Sequence, residues 1–343
     1  MFKTATYVIF LLLGNGYWME AAGKNDATEK KVRRSPSAVI WKLPENLPAR
    51  DLFFGPGSKD RQPQSPFVFV EEVKSGTNPK FDVRDAKGVV WRVKLDEEAR
   101  PETAATRLVW ALGYFADEAY LVPEMVVNGL KELSRGQDLV LPGGVVRAAR
   151  LERKDPAQKR IGDWEWNRNP FVGSRELDGL RVLMALMNNW DLKTSNNAIY
   201  ETDDELRYVV SDLGGTFGRT GSNFTRSKGD LNDYAQSKFI KHVSGKGVDF
   251  TLDNRPFFLS AVYLPYYLDR TEMEEIGKDI PLPHVEWIAY YLNQLSQAQL
   301  EAAFRSAGYS PQEVAAFVTA TQGKIRELQT IREGGPRRQA ETK

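Results

Sequence analysis

Apolar positions along the chain change period several times, and each change marks an element. Residues 67–70, with Val73, read as a strand, and 81–84, the turn Asp85-Ala86-Lys87-Gly88 and 89–95 read as a hairpin. In the second arm Val89, Trp91, Val93 and Leu95 share one face, because successive strand side chains point to opposite sides, and Lys94 lies on the other. The period then lengthens. Ala105, Leu108, Val109 and Leu112 form a stripe at helical spacing; Pro101 suits the first helical position, Glu102 the positive end of the dipole, and Gly113 the stop. Two strand-like pieces, 121–127 and 145–149, follow, joined through Gly143-Gly144. This part is expected to be mostly sheet with one helix.

Beyond a polar stretch from Glu152 to Gly173, Ser174 is expected to cap a helix reaching about Asn188, with Leu177, Leu180, Leu183, Met184 and Met187 buried. Residues 198–200 and 206–211 predict a short hairpin. After Gly214 some thirty residues rich in Gly, Ser, Thr, Asn and Lys predict a long irregular segment. From Pro256 onward helices dominate, among them a Ser296-capped stretch to Ala307 and a Ser310-Pro311-capped stretch to Ile331. The tail, 334–343, is expected to be disordered.

The N-terminal residues change the picture. Lys3, an apolar run over 7–13 and the small residues Ala21-Ala22-Gly23 have the layout of a secretory signal peptide, assigned to 1–23. The run falls short of the about 20 apolar residues that span a bilayer, so no integral span is expected in the mature chain. This predicts an exported, periplasmic or extracellular bacterial protein. Residues 24–66 carry the basic cluster Lys30-Lys31-Val32-Arg33-Arg34 and then six prolines, and read as a linker, with order beginning at Phe67.

Composition narrows the chemistry. With 343 residues and a net charge of +1, no whole-molecule field favours nucleic acid. Cysteine is absent and only His242 and His284 are present. Disulfides, thiol nucleophiles and Cys-ligated zinc are thereby excluded, a multi-histidine metal site is disfavoured, and any metal is expected to need oxygen ligands, as magnesium, calcium and manganese do. Both histidines read as structural. Trp164, Trp166 and Phe171 could form a carbohydrate- or peptide-binding surface, although such aromatics more often pack between lobes. Asn223-Phe224-Thr225 fits a glycosylation sequon.

Three segments carry the candidate chemistry: Ser75-Gly76-Thr77-Asn78-Pro79-Lys80-Phe81, followed by Lys94 on the next strand; Asp191-Leu192-Lys193-Thr194-Ser195-Asn196; and Asp212-Leu213-Gly214. Asp191 and Asn196 have the Asp-x-x-x-x-Asn offset of a kinase catalytic loop, and Asp212-Leu213-Gly214 is similar to the metal-binding Asp-Phe-Gly that follows one hairpin later. Together they resemble the protein-kinase-like superfamily in its atypical branches: HipA-like, phosphoinositide-kinase-like, or the secreted CotH and Golgi secretory-pathway kinases. Gly76-Thr77-Asn78-Pro79-Lys80 looks like the nucleotide loop of HipA-like kinases.

The resemblance, spanning 67 to about 218, implies an α+β, two-lobed fold: an antiparallel-sheet N-lobe over 67–153 and a mostly helical C-lobe over 154–333. It implies ATP with Mg2+ or Mn2+ as cofactors and a hydroxyl-bearing acceptor as partner. Lys94, paired with Glu102, would neutralise phosphate charge, and Glu98 is a substitute partner. Asn196 and Asp212 would hold the metal, and Asp191 would orient the acceptor hydroxyl. Ser75, Gly76, Thr77 and Asn78 would cap the phosphates by their backbone, with Lys80 as a second cation. Asn189-Trp190 replaces the usual His-Arg before the aspartate, the nucleotide loop has a single glycine, and no Ala-Pro-Glu follows. A non-catalytic pseudokinase, a secreted ligand-binding scaffold and a transferase of AMP therefore stand as alternatives.

Overall fold

Alternation of apolar and polar residues places β2 (Phe67–Glu72), β3 (Lys80–Arg84) and β4 (Val90–Lys94) where that pattern predicts them. They belong to a computed structural model that describes residues 35–76, 78–219, 227–252 and 272–334. The leader expected at 1–23, the beginning of the linker, Thr77, the Asn223–Thr225 sequon and residues 335–343 lie outside the described residues. The chain is mixed α+β, and none of its described helices is long and apolar enough to cross a membrane.

The region expected to be linker is ordered from Pro36. Strand β1 (Ser37–Val39) pairs in parallel with a strand near residue 206, and Ile40, Leu47 and Leu52 are buried. Prolines 48 and 56 sit inside short 3-10 turns, whose early positions tolerate a residue without an N–H. Proline density here marks tight turns, not a lack of structure.

After β4, helix α1 (Ala99–Ala111) begins two residues before Pro101, and Glu98 is its cap residue. β5 (Ala119–Asn128), β6 (Val140–Leu141) and β7 (Val145–Arg153) complete a sheet of order β4-β3-β2-β5-β7-β6. Its pairs are antiparallel except β2–β5, which is parallel. An additional β4–β7 pairing joins the first strand to the fifth, so five strands form a closed ring. Phe81, Val83, Trp91, Val93, Val146 and Leu151 fill a hydrophobic core of their own.

β8 (Lys159–Gly162), α2 (Arg175–Leu186), β9 (Asn197–Glu201) and β10 (Glu205–Val210) follow, and a second sheet has the order β1-β10-β9-β8. Ser174 caps α2 by accepting from the Leu177 N–H at 3.2 Å. The irregular segment expected after Gly214 instead contains α3 (Leu231–Gln236), β11 (Ile240–Val243) and β12 (Val248–Phe250). Helices α4 (Leu282–Leu292), α5 (Gln297–Ser306) and α6 (Pro311–Gly334) close the chain, so Gly334 is helical. A second, larger core unites α2 to α6 with the apolar stripe of α1. One face of α1 thus belongs to the helical core while its Glu98 and Glu102 face the sheet.

Candidate functional site

Strand register builds the site. Lys80 lies directly opposite Lys94 on β3, and Lys94 opposite Arg150 on β7. Three cations therefore form a row across three strands, on the face opposite the ring's apolar interior. Adjacent like charges repel, so this row requires anions. α1 supplies them. Glu98 and Glu102 are four residues apart and share one face of the helix.

Lys94 Nζ donates to Glu102 Oε2 at 2.7 Å, lies 3.6 Å from Glu98 Oε2 and reaches Asp212 Oδ1 at 3.4 Å, although Asp212 is 118 residues away in sequence. Arg150 Nη1 lies 3.5 Å from Glu102 Oε1 and 2.9 Å from Glu152 Oε2. Burial works against the Lys94 charge, but Glu102 and Asp212 outweigh it and hold its pKa above the ordinary lysine value. Burial raises the pKa of Glu102 against the pull of Arg150 and Lys94; with two cations this close, the ionised carboxylate is the form that the geometry favours. For Asp212 burial is again opposed, here by Lys94 and the Gly214 N–H at 3.1 Å, and its pKa falls.

The two polar loops are tied together through Asn196. Its Nδ2 donates to the Asp191 carbonyl at 2.7 Å and to Asp191 Oδ2 at 3.1 Å, while its carbonyl accepts from the Ser211 and Asp212 N–H groups at 2.8 and 3.2 Å. Lys193 Nζ sits 2.6 Å from Asp191 Oδ1. Gly215 faces this loop, where a β-carbon would come 3.0 Å from that of Asp191.

The first segment approaches from the sheet side. Gly76 has φ +73°, a conformation that glycine adopts freely, and a β-carbon there would lie 3.1 Å from Lys80 Nζ. Burial, with Lys94 and Arg92 nearby, lowers the pKa of Lys80. Asn78 Nδ2 donates to Glu98 Oε2, and Arg135 donates to the carbonyls of Gly76 and Lys74. Ser75 is exposed on this loop, and no described side-chain bond joins it to the cluster.

Lys94, Glu102 and Asp212 thus meet directly, and Asp191 and Asn196 join them through the Asn196 carbonyl. Glu98 is a neighbour of Lys94 rather than a replacement for Glu102. Two residues were missed in sequence. Arg150 could have been noticed as a charge at a strand position between Ala149 and Leu151. Lys228, which pairs with Glu98 at 2.7 Å and Glu97 at 3.2 Å, carries no sequence signal.

No family model matches the chain, and no curated protein matches it. Among solved structures it aligns with the Helicobacter pylori proinflammatory kinase CtkA at 13% identity and a TM-score of 0.34, over 78% of this chain and 99% of that one. A likeness at that TM-score decides nothing about the site.

An oxygen-liganded cation fits the residues present. Both hydrogen bonds to Asp212 are made by Oδ1, its side chain is 36% exposed, and no described hydrogen bond reaches Oδ2. The Asn196 amide nitrogen is spent on Asp191, and no described donor reaches its oxygen. Two oxygens of the kind that hold magnesium or manganese are therefore open. Trp164 and Phe171 pack with Tyr208, with ring centroids 6.2 and 5.0 Å away, and Trp164 Nε1 donates to the Val209 carbonyl, so these aromatics join elements.

Proposed function

We propose that the protein is an atypical, two-lobed kinase-like phosphotransferase that binds ATP with magnesium or manganese and transfers a phosphoryl group to a hydroxyl acceptor. The observation that carries this reading is the reach of one ammonium, Lys94, to the Glu102 and Asp212 carboxylates, with Asn196 joining the Asp212 and Asp191 loops. The closed ring and the helical core would be the two lobes.

Lys94 and Lys80 would neutralise phosphate oxygens, and the backbone of 75–78 would cap them. Asp212 and Asn196 would hold the metal. Bound Mg-ATP supplies the transferable group and the cation that screens its charge. Asp191 would orient the acceptor hydroxyl and accept its proton as the oxygen attacks. Glu102 would hold Lys94 in place and charged, and Arg150, paired with Glu102 and Glu152, would position Glu102.

Calorimetry of the wild-type chain with Mg-ATP, together with phosphate-transfer assays, tests the reading. Saturable binding that Asp212→Ala abolishes and transfer that Asp191→Ala abolishes are expected. Flat titrations of the wild type would reject it. Mass spectrometry of the product separates phosphate from AMP transfer. A second reading, a nucleotide-binding scaffold without transfer, is favoured by Lys193, which already neutralises Asp191; it predicts binding without product. Export, read from residues 1–23 alone, is tested by N-terminal sequencing of the mature protein.

A further inference from the structure

Leu192, Lys193 and Thr194, which directly follow Asp191, form one wall of a cavity of about 630 Å3. The start of α2, the 165–167 turn and residues 272–276 form the others. This volume suits one small molecule. Trp166, Leu177, Met273 and Ile276 give the cavity apolar surface, and the buried Trp166 Nε1 has no hydrogen-bond partner among the described residues.

Its charges do not balance. Four carboxylates line it (Glu165, Asp178, Glu272 and Glu275) against two cations, Arg181 and Lys193. Both cations are committed. Arg181 pairs with Asp178 and donates to the carbonyls of Ile276 and Lys278 at 2.6 and 2.8 Å, and Lys193 pairs with Asp191. Asp178 also meets His284 Nδ1 at 2.7 Å, and Glu275 pairs with Lys278. Glu165 and Glu272 have no cationic partner among the described residues. Paired charges offer a ligand little, whereas unpaired carboxylates beside an apolar wall favour an organic cation.

We infer that this cavity binds a small organic cation and is where the acceptor, an amine-bearing alcohol, is held beside Asp191. The acceptor role rests on the phosphotransferase reading; the cation site does not. Lys193 connects the two, because it lines the cavity and pairs with Asp191, so a hydroxyl carried by such a ligand is brought to the loop that would use it.

The test is calorimetric titration of the full chain with spermidine, a flexible trication, in the absence of nucleotide, with uncharged triethylene glycol as control. Saturable spermidine binding is expected, weakened about tenfold or more by Glu165→Gln/Glu272→Gln, with no binding of triethylene glycol. Neither carboxylate has a partner to lose among the described residues, so the double variant is expected to keep the fold, as circular dichroism checks. Absent spermidine binding, affinity unchanged in the double variant, or equal binding of the control overturns the inference. A parallel Mg-ATP titration of the wild type separates the two claims. ATP binding without spermidine binding sinks the cavity alone, and spermidine binding without ATP binding upholds the cation site while the phosphotransferase reading falls.

Discussion

Lys94 and Lys324 are both nearly sealed from solvent, 8% and 4% exposed, yet their surroundings differ in kind. Lys94 faces three carboxylates, those of Glu102, Asp212 and Glu98. Lys324, on α6, donates to the carbonyl and hydroxyl of Ser237 at 2.7 and 3.0 Å and lies over the rings of Tyr234 and Phe239. Burial is the largest influence on both. At Lys94 the carboxylates overcome it and the pKa rises; at Lys324 only Glu327 opposes it and the pKa falls to about 8. Burial alone therefore does not set a lysine's charge. A lysine kept ionised beside a surplus of carboxylates is suited to an anion and its metal, whereas one ringed by neutral groups is a packing residue that tolerates its charge.

The largest test of this contrast is Lys94→Met. Removing one partner from a buried charge cluster leaves Glu102 and Asp212 undercompensated and should cost about 3–5 kcal/mol in denaturant unfolding. Adding Glu102→Gln should restore much of that loss; a neutral single variant would show the cluster to be far wetter than its burial indicates.

Next comes pH. A lysine whose folded pKa is about 8 against an ordinary 10.5 binds fewer protons folded than unfolded between those values. Stability should therefore rise with pH across that window, by up to about 3 kcal/mol, with the penalty of the buried charge felt in full below pH 8. Lys324→Met should flatten the rise. Lys94 has the opposite sign: its contribution persists through the same window and declines only above 10.5. Unfolding curves from pH 7 to 10.5 on both variants check the pair.

Gly214→Ala should have a smaller effect. Its β-carbon would come 2.7 Å from Glu98 Oε2, forcing Glu98 away from Lys94, at a cost of about 1–3 kcal/mol and, on the proposed phosphotransferase reading, with weaker Mg-ATP binding by calorimetry. Ser237→Ala is the smallest, about 1 kcal/mol, since Lys324 keeps the Ser237 carbonyl. A larger loss would mean that the hydroxyl, and not the aromatic rings, is what makes the Lys324 charge tolerable.

Much of the site was legible because its chemistry is local. Asp191 and Asn196 bond to each other within one loop, and Asp212 follows a short antiparallel hairpin. Lys94 could be placed on the polar face of β4 by counting in twos. Glu102, expected as the partner of Lys94, receives its ammonium at 2.7 Å and lies 3.5 Å from Arg150 as well. Residues 36–66 are ordered although their prolines predict a linker. Their order depends on remote partners such as Gln299 Nε2, which donates to the Leu47 carbonyl at 2.8 Å, and no local pattern announces that contact.

The amino-acid order by itself determined strands β2 to β5, β7, β9 and β10, most helices and the spacing of the polar loops, because alternation, capping and turn residues act over a few positions. Only the tertiary structure decided that β2 and β5 run parallel, that β4 and β7 pair to close a ring, that Arg150 stands beside Lys94, and that Lys228 reaches Glu98. Those relations join residues tens of positions apart, and the free energy that selects them comes from burying charges and apolar faces together, which exists only once the chain has folded.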